Sequence, residues 1–187
     1  MSGSGATRSP QGRRFPRGRD TSPEARLVVV GLGSNVDGPA KIDEAITEIS
    51  FLYDLLARST RYVSPAVTAD DERDEAGIGE GASREVENYS NAAVLIRTAE
   101  DHDAIKAALG EIEAQLGRDR STPASVAIDL DILLIQDEVI RVGSRVLVPH
   151  PDLETRRYAA IPSAEVAPFL RHSVTEVPLS DLAAALA

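Results

Sequence analysis

The run Ile128-Asp129-Leu130-Asp131-Ile132-Leu133-Leu134-Ile135 constrains the fold more than any other stretch. It alternates apolar with acidic residues and is rich in β-branched isoleucine, which predicts an extended, largely buried strand. Successive strand side chains point to opposite faces. Ile128, Leu130, Ile132 and Leu134 are therefore expected on one face, and Asp129 and Asp131 on the other. The two carboxylates then stand roughly 7 Å apart on a rigid element. Buried alone they would repel each other, and a divalent cation relieves both; hard oxygen ligands suit Mg²⁺ and phosphate-bearing substrates. The alternative is two acids on the solvated face of an antiparallel edge strand, the commoner setting for an arbitrary D-x-D. The neighbouring segments decide between the two.

Upstream, the apolar run Leu27-Val28-Val29-Val30 reads as a central strand ending at Gly33-Ser34-Asn35, with Gly31 and Gly33 letting something approach the backbone. It is no dinucleotide fingerprint, because the third glycine is absent. Pro39 then sits near the start of a helix whose buried stripe is Ile42, Ala45, Ile46, Ile49 and Leu52. Ser59–Pro65 reads as a second strand closed by its proline, and residues 66–86 as a long acidic loop, either a lid or a disordered insertion. Glu87–Ile96 returns as a strand on which Tyr89 and Asn91 share a face with Ala93 and Leu95. A ring beside an amide offers a platform for a flat heterocycle, although a lone pair of this kind is more often structural.

A second helix is expected from about Asp103 to Leu116, capped by Asp101 or Asp103, lined by Ile105, Ala108, Leu109, Ile112 and Leu116, and ended by Gly117. Arg118 and Arg120 follow on a loop that runs into the D-x-D strand. Guanidinium groups entering a paired-carboxylate site suit triphosphate chemistry, with ordinary surface arginines as the alternative. Gln136-Asp137-Glu138 reads as a turn, and Arg141–Val148 as short strands that finish the sheet. His150, set between two prolines, is a candidate ligand or phosphate contact, or else a surface histidine. Short helices near Tyr158–Ile161 and from Ser180 are expected to pack the edge.

Charge and composition exclude several classes. Five arginines between Arg8 and Arg19 against Asp20 and Glu24 leave the first 24 residues at +3, so the rest of the chain carries -13 of the net -10. Residues 1–25 are expected to be a disordered basic arm. The acidic body argues against a nucleic-acid partner, since phosphates demand clustered Lys and Arg. The absence of cysteine excludes disulfides, thiolate metal sites and cysteine nucleophiles. No apolar run approaches a membrane span, and a cytoplasmic protein without membrane partners is the expectation.

The order strand, helix, strand, strand, helix, strand predicts an α+β fold, the ferredoxin-like α/β sandwich. Its mostly antiparallel sheet carries helices on one face and leaves the other free for ligands. Asp129, Asp131, Tyr89 and Asn91 are expected together on that open face. Fold alone does not assign function, since the arrangement also serves RNA binders, but those want exposed aromatics and a basic surface.

Five motifs in order carry a resemblance: Gly33-Ser34-Asn35, Tyr89-Ser90-Asn91-Ala92-Ala93-Val94, Ile112–Arg118, Ile128–Leu134 and Val148-Pro149-His150-Pro151. Between Leu27 and Pro168 the chain resembles the 6-hydroxymethyl-7,8-dihydropterin pyrophosphokinase family of the folate pathway. The resemblance implies one pyrophosphokinase domain over 26–187. It implies transfer of a pyrophosphoryl group from ATP to the pterin hydroxymethyl, giving AMP, with two Mg²⁺ and small-molecule substrates, in a monomer. Asp129 and Asp131 match the metal-binding and catalytic aspartates, joined in catalysis by Arg118 and Arg120. Ser64, Pro65, Tyr89, Asn91 and Tyr158 match pterin contacts. Glu113, Arg118, Arg145, His150 and Arg156 match the nucleotide side.

The chain also departs from the family pattern. The family has Trp-Gly-Pro-Arg-Thr before its D-x-D core. Here the loop is about two residues shorter and reads Pro123-Ala124-Ser125-Val126-Ala127, with Val126 in the place of the loop arginine and no tryptophan in the chain. Arg120 is the candidate to replace that arginine, and an active but divergent enzyme is expected. A paralogue that binds pterin or nucleotide without transfer is the alternative.

Overall fold

The computed structural model of the chain describes residues 24–65, 88–122 and 125–187. The basic arm and the acidic loop expected at 66–86 lie outside these residues, apart from Glu24 and Ala25, which lead into the first strand. That strand, β1 (Arg26–Ser34), is followed by α1 (Gly38–Leu52), β2 (Asp54–Arg58), β3 (Tyr62–Pro65), β4 (Asn88–Thr98), α2 (His102–Gln115) and β5 (Asp129–Ile135). The sheet order is β2-β4-β1-β5, β3 also pairs with β4, and every pairing is antiparallel. This is the expected split β-α-β sandwich. Val28 and Val30 face α1 and α2 while Val29 faces the other side, which is why this central strand is apolar throughout.

Both helices follow their predicted stripes. Ile42, Ala45, Ile46 and Ile49 of α1 are buried, while Leu52, at the helix end, is 57% exposed. In α2, Ile105, Leu109 and Ile112 are buried. Of the two candidate caps it is the Asp101 side chain that accepts from the Ala104 amide at 2.9 Å. Gly117 follows with φ 91°, a left-handed conformation that suits glycine.

Four expectations are corrected. The strand expected over Ser59–Pro65 is shorter, β3 at Tyr62–Pro65: the Ser59 hydroxyl accepts from the Ala93 amide at 2.9 Å and takes over the ladder there, and the chain returns to β4 only at Tyr62. The strand before it, β2, carries no strand signal of its own, because Leu55, Leu56 and Ala57 are good helix formers and only pairing with β4 extends them. In β5 the register to β1 slips, so that Val29 pairs with Leu134 but Val30 with Ile132. Leu133 is the extra residue of this bulge. Leu134 consequently joins Leu133 on the second face and Ile135 joins the first, both the reverse of strict alternation.

The second face is also not bare. After β6 (Ile140–Val142) and β7 (Arg145–Val148), which form a separate two-stranded sheet rather than finishing the main one, come α3 (Asp152–Thr155), α4 (Arg157–Val166) and α5 (Leu179–Leu186). Leu153, Ala159, Val166 and Leu179 pack there on Val29, Ala93 and Leu133. The C-terminal helices thus cover part of that face instead of its edge, because the bulge supplies two consecutive leucines for them to bury. No helix among the described residues is long and apolar enough to cross a membrane.

Two tests of this architecture follow from buried contacts. A Cβ at Gly38, the first residue of α1, would lie 2.6 Å from Ser90 Oγ and 2.7 Å from Ser90 Cβ. Gly38→Ala should therefore destabilise the protein by about 1–2 kcal/mol despite the better helix propensity of alanine, read as a lower denaturant midpoint; an unchanged or raised midpoint would refute the close approach. His172 is fully buried, and burial holds its pKa below the ordinary 6.5 against the opposing pull of Glu154, 3.2 Å away. Because the unfolded chain takes up this proton first, stability is intact above about pH 6.5 and falls as the pH drops toward the depressed folded value. His172→Gln should flatten that part of the melting-temperature profile against pH, and a profile parallel to wild type would contradict the assignment.

Candidate active site

Two glycines and two aspartates face one another across the centre of the sheet. In the register of β1 and β5, Gly33 is the partner of Asp129 and Gly31 the partner of Asp131. Cross-strand partners share a face, so each carboxylate has a bare backbone beside it rather than a side chain. A cavity of about 290 Å³ opens over these four residues. A Cβ on Gly31 would meet Leu133 Cδ1 at 2.9 Å, so the bulged leucine walls one side.

The neighbouring wall is built by β4 and β3. Asn91 is buried, and its Nδ2 donates to Ser64 Oγ at 2.8 Å, which joins the two strands and turns Oδ1 toward Gly33. Tyr89 and Ser64 also line the cavity. Pro65 ends β3 opposite Asn88. Across the cavity stands Tyr158, in the first turn of α4, its hydroxyl donating to Asp152 Oδ2 at 2.6 Å. Burial first, and then the hydrogen bond to Asp152, raise the Tyr158 pKa, so the phenol stays protonated and donating.

Asp152 is a site residue that sequence reasoning misses. It lines the same cavity, and its amide donates to His150 Nδ1 at 3.3 Å. The available signal was its place two residues beyond His150. His150 itself is fixed through its own amide, which donates to Leu133 O at 2.7 Å. The Asp131 carboxyl is raised above the ordinary range by loss of water first and by Asp129 second; His150 opposes this and Asp152 adds to it. Two acids in mutual repulsion, open on one side, form a donor set that fits Mg²⁺, which takes one or two carboxylates and fills its other positions with water and substrate oxygens.

None of the candidate basic residues lines the cavity, and they differ in what they face. Arg118 is 14% exposed at its side chain and brings Nη2 to 3.7 Å from Asp129 Oδ1. Its Nε and Nη1 are buried and find no acceptor among the described residues. Such donors are costly unless an anion meets them. Arg120, by contrast, is bonded to Glu113 Oε2 at 2.6 Å and does not line the cavity. Glu113 is buried; its other oxygen accepts the Leu130 amide at 2.8 Å, so this carboxylate grips the outer edge of β5 between the two aspartates. Burial raises its pKa, while the Leu130 amide pulls the other way. Arg145 is an exposed residue at the start of β7 and Arg156 joins α3 to α4, both outside the cavity lining.

The shortened loop is tied down rather than open. Val126 is 5% exposed; its amide donates to Asn35 Oδ1 at 2.7 Å and its carbonyl accepts from the Asn35 amide at 3.0 Å. Ser34 Oγ lies 2.6 Å from Ala127 O. The Gly33-Ser34-Asn35 turn therefore anchors the segment entering β5, and Val126 is a buried peg. Pro123 and Ala124 lie outside the described residues.

Known proteins share this arrangement. Crystal structures of Plasmodium falciparum HPPK-DHPS superpose on the chain with a TM-score of 0.62 for the wild type (13% identity, 87% of this chain, 45% of that one) and 0.59 for the wild type with pteroate (12%, 87% and 42%). This chain thus spans less than half the length of those solved chains, and at such identity the likeness speaks to the fold. The 2-amino-4-hydroxy-6-hydroxymethyldihydropteridine pyrophosphokinase of Aquifex aeolicus (strain VF5) is 30% identical over 156 residues, covering 82% of this chain and 88% of that protein. Residues 29–168, which hold every strand and helix that builds the cavity, match the 7,8-dihydro-6-hydroxymethylpterin-pyrophosphokinase (HPPK) family, and the chain belongs to that family.

Proposed function

We propose that this protein transfers the pyrophosphoryl group of ATP to the hydroxymethyl oxygen of 6-hydroxymethyl-7,8-dihydropterin, giving AMP, as a step of folate biosynthesis carried out by a domain over residues 26–187. The observation that carries the reading is the convergence of Asp129 and Asp131 with Asn91, Tyr89 and Tyr158 on one cavity, with the half-buried Arg118 beside Asp129. The cavity volume suits a bicyclic heterocycle. Asn91 and Ser64 offer amide and hydroxyl groups at its rim, and the rings of Tyr89 and Tyr158 offer flat apolar surface.

In this reading Asp129 and Asp131 hold two Mg²⁺, which when bound neutralise the phosphates and make the hydroxyl a better nucleophile. The oxygen of the hydroxymethyl group bonds to the β-phosphorus of ATP. The bond from that phosphorus to the oxygen bridging it to the α-phosphorus breaks, that oxygen leaves with AMP, and the hydroxyl proton passes to solvent. The residues of the chain act by holding and neutralising. Tyr89, Asn91, Ser64 and Tyr158 fix the heterocycle so that its hydroxymethyl points at the aspartates, which converts a bimolecular encounter into a positioned one. Arg118 directs its free donors to phosphate oxygens, and Glu113 keeps β5 in register through the Leu130 amide. His150, Arg145 and Arg156 stand toward the nucleotide side. Arg120 is engaged with Glu113 and reaches phosphate only by leaving it.

Incubation with ATP, Mg²⁺ and 6-hydroxymethyl-7,8-dihydropterin should release AMP and form the pterin diphosphate in equal amounts. Asp131→Asn should lower the turnover number at least about a hundredfold while the melting temperature stays at or above that of wild type, since a repulsion is removed. Full activity in that variant would refute the metal assignment. Pterin binding without AMP in the wild-type protein would select the non-catalytic paralogue instead. Arg118→Ala should lower kcat/KM for ATP by about 10- to 100-fold, the worth of charge-assisted hydrogen bonds, with pterin affinity unchanged; a loss confined to pterin affinity would place Arg118 elsewhere.

A further inference from the structure

The two walls of the cavity come from distant parts of the chain, and the β3 edge of one is tied to the helix that carries the other by a side chain remote from the aspartates. Tyr158 lies in the first turn of α4 and Glu165 in its last, seven residues and about 10 Å along the helix axis. One Glu165 oxygen accepts the Thr60 amide at 2.9 Å. The other accepts the Thr60 hydroxyl at 2.9 Å and the Tyr62 hydroxyl at 2.8 Å. All three donors stand at the entrance of β3, the four-residue strand whose pairing partner is β4 and whose far end presents Ser64 to Asn91. A strand this short, paired along one edge, has few ladder bonds to fix its distance from anything beyond β4.

We propose that Glu165 is a positioning residue for the pterin pocket: by clamping Thr60 and Tyr62 to α4, it sets the spacing between the Ser64–Asn91 wall and the Tyr158 wall. This rests on the pterin-transfer reading above for the identity of the ligand, while the clamp itself is a property of the fold. The chemistry suits a clamp. Burial tends to raise the Glu165 carboxyl, but the Thr60 amide together with the Tyr62 and Thr60 hydroxyls outweighs it and holds the group below the ordinary carboxylate range, so it stays an ionised acceptor of three bonds. Arg61 in the same cleft does not compete for it, being engaged by Asp43 at 2.7 Å. Without the clamp α4 stays anchored by Ala159 and Val166 in the second apolar cluster, whereas β3 is held, among the described residues, by its ladder to β4 and the Asn91–Ser64 bond. The strand and its Ser64 are then the parts free to drift.

The test uses the full chain with Glu165→Ala, Glu165→Gln and Tyr62→Phe. Pterin dissociation constants come from the fluorescence of the bound heterocycle, ATP constants from AMP release, and local order from amide hydrogen exchange. Glu165→Ala should weaken pterin binding about tenfold and leave KM for ATP within about twofold, because the wall it releases borders one substrate only. Glu165→Gln keeps an acceptor for the Thr60 amide and should fall between Glu165→Ala and wild type. Tyr62→Phe should be similarly intermediate and add nothing to Glu165→Ala, since both remove the same bond. Exchange at the amides of Val63 and Ser64 should quicken in Glu165→Ala while β1 and β5 are unaffected. Unchanged pterin affinity, an equal loss for ATP and pterin, or unaltered exchange in β3 would each overturn the proposal. A wild-type protein that binds pterin but releases no AMP would sink the transfer reading alone, because affinity and exchange decide the clamp without turnover.

Discussion

The pairing of two glycines with two aspartates across β1 and β5 is the constraint on which the rest of the structure depends. Opposing carboxylates on one strand can be tolerated only where space, water or a cation reaches them, and Gly31 and Gly33 supply the space by having no side chain on that face. The same absence lets Leu133 pack directly over Gly31. The bulge at Leu133 then ends the polar half of β5 and begins an apolar half on the same face, which α3, α4 and α5 bury. A single register slip thus partitions one face of the sheet into a binding cavity and a hydrophobic floor for the helices that wall it.

Around this pairing the polar side chains act as ties between segments remote in sequence. Glu113 on α2 satisfies the outward amide of Leu130, which an edge strand would otherwise leave to solvent or to another chain. Asn35 forms both bonds of a miniature ladder with Val126. Asp152 holds Tyr158, and Asn91 holds Ser64. Each tie fixes a segment at or beside the cavity to its neighbour in the fold. Positioning is the main service a protein can render to phosphoryl transfer, where the protein itself has little covalent work to do.

Most of the fold was legible because its signals are local and repeated: the 3.6-residue stripes of α1 and α2, the β-branched runs of β1 and β5, and the Asp101 cap and Gly117 stop. The cavity residues Asp129, Asp131, Tyr89, Asn91, Ser64 and Tyr158 were legible through motif order, and strand periodicity placed the first four on one face. What could not be read depends on pairing. The bulge at Leu133 breaks a period that the residues themselves do not break, and β2 has the composition of a helix. Asp152 and Glu165 act through contacts made only when α3 and α4 fold back onto the sheet.

The loop ahead of β5 is where this chain differs most from its family's pattern, and the geometry explains why the difference leaves the site standing. A valine at position 126 has no charge to offer phosphate, but it is buried and held at both backbone atoms by Asn35, so it fixes where β5 begins. An arginine there would have to bury its guanidinium or break that anchor. Arg118, half-buried, stands beside Asp129 with two donors unmatched among the described residues, which places a positive charge next to the aspartates. A fixed, water-poor cation interacts with developing phosphate charge more strongly than one that must swing in on a loop, since its reorganisation is completed in folding. Arg118 is tied through its amide to the Glu113 carbonyl near the end of α2, and the Glu113 side chain holds β5 at Leu130, between the two aspartates.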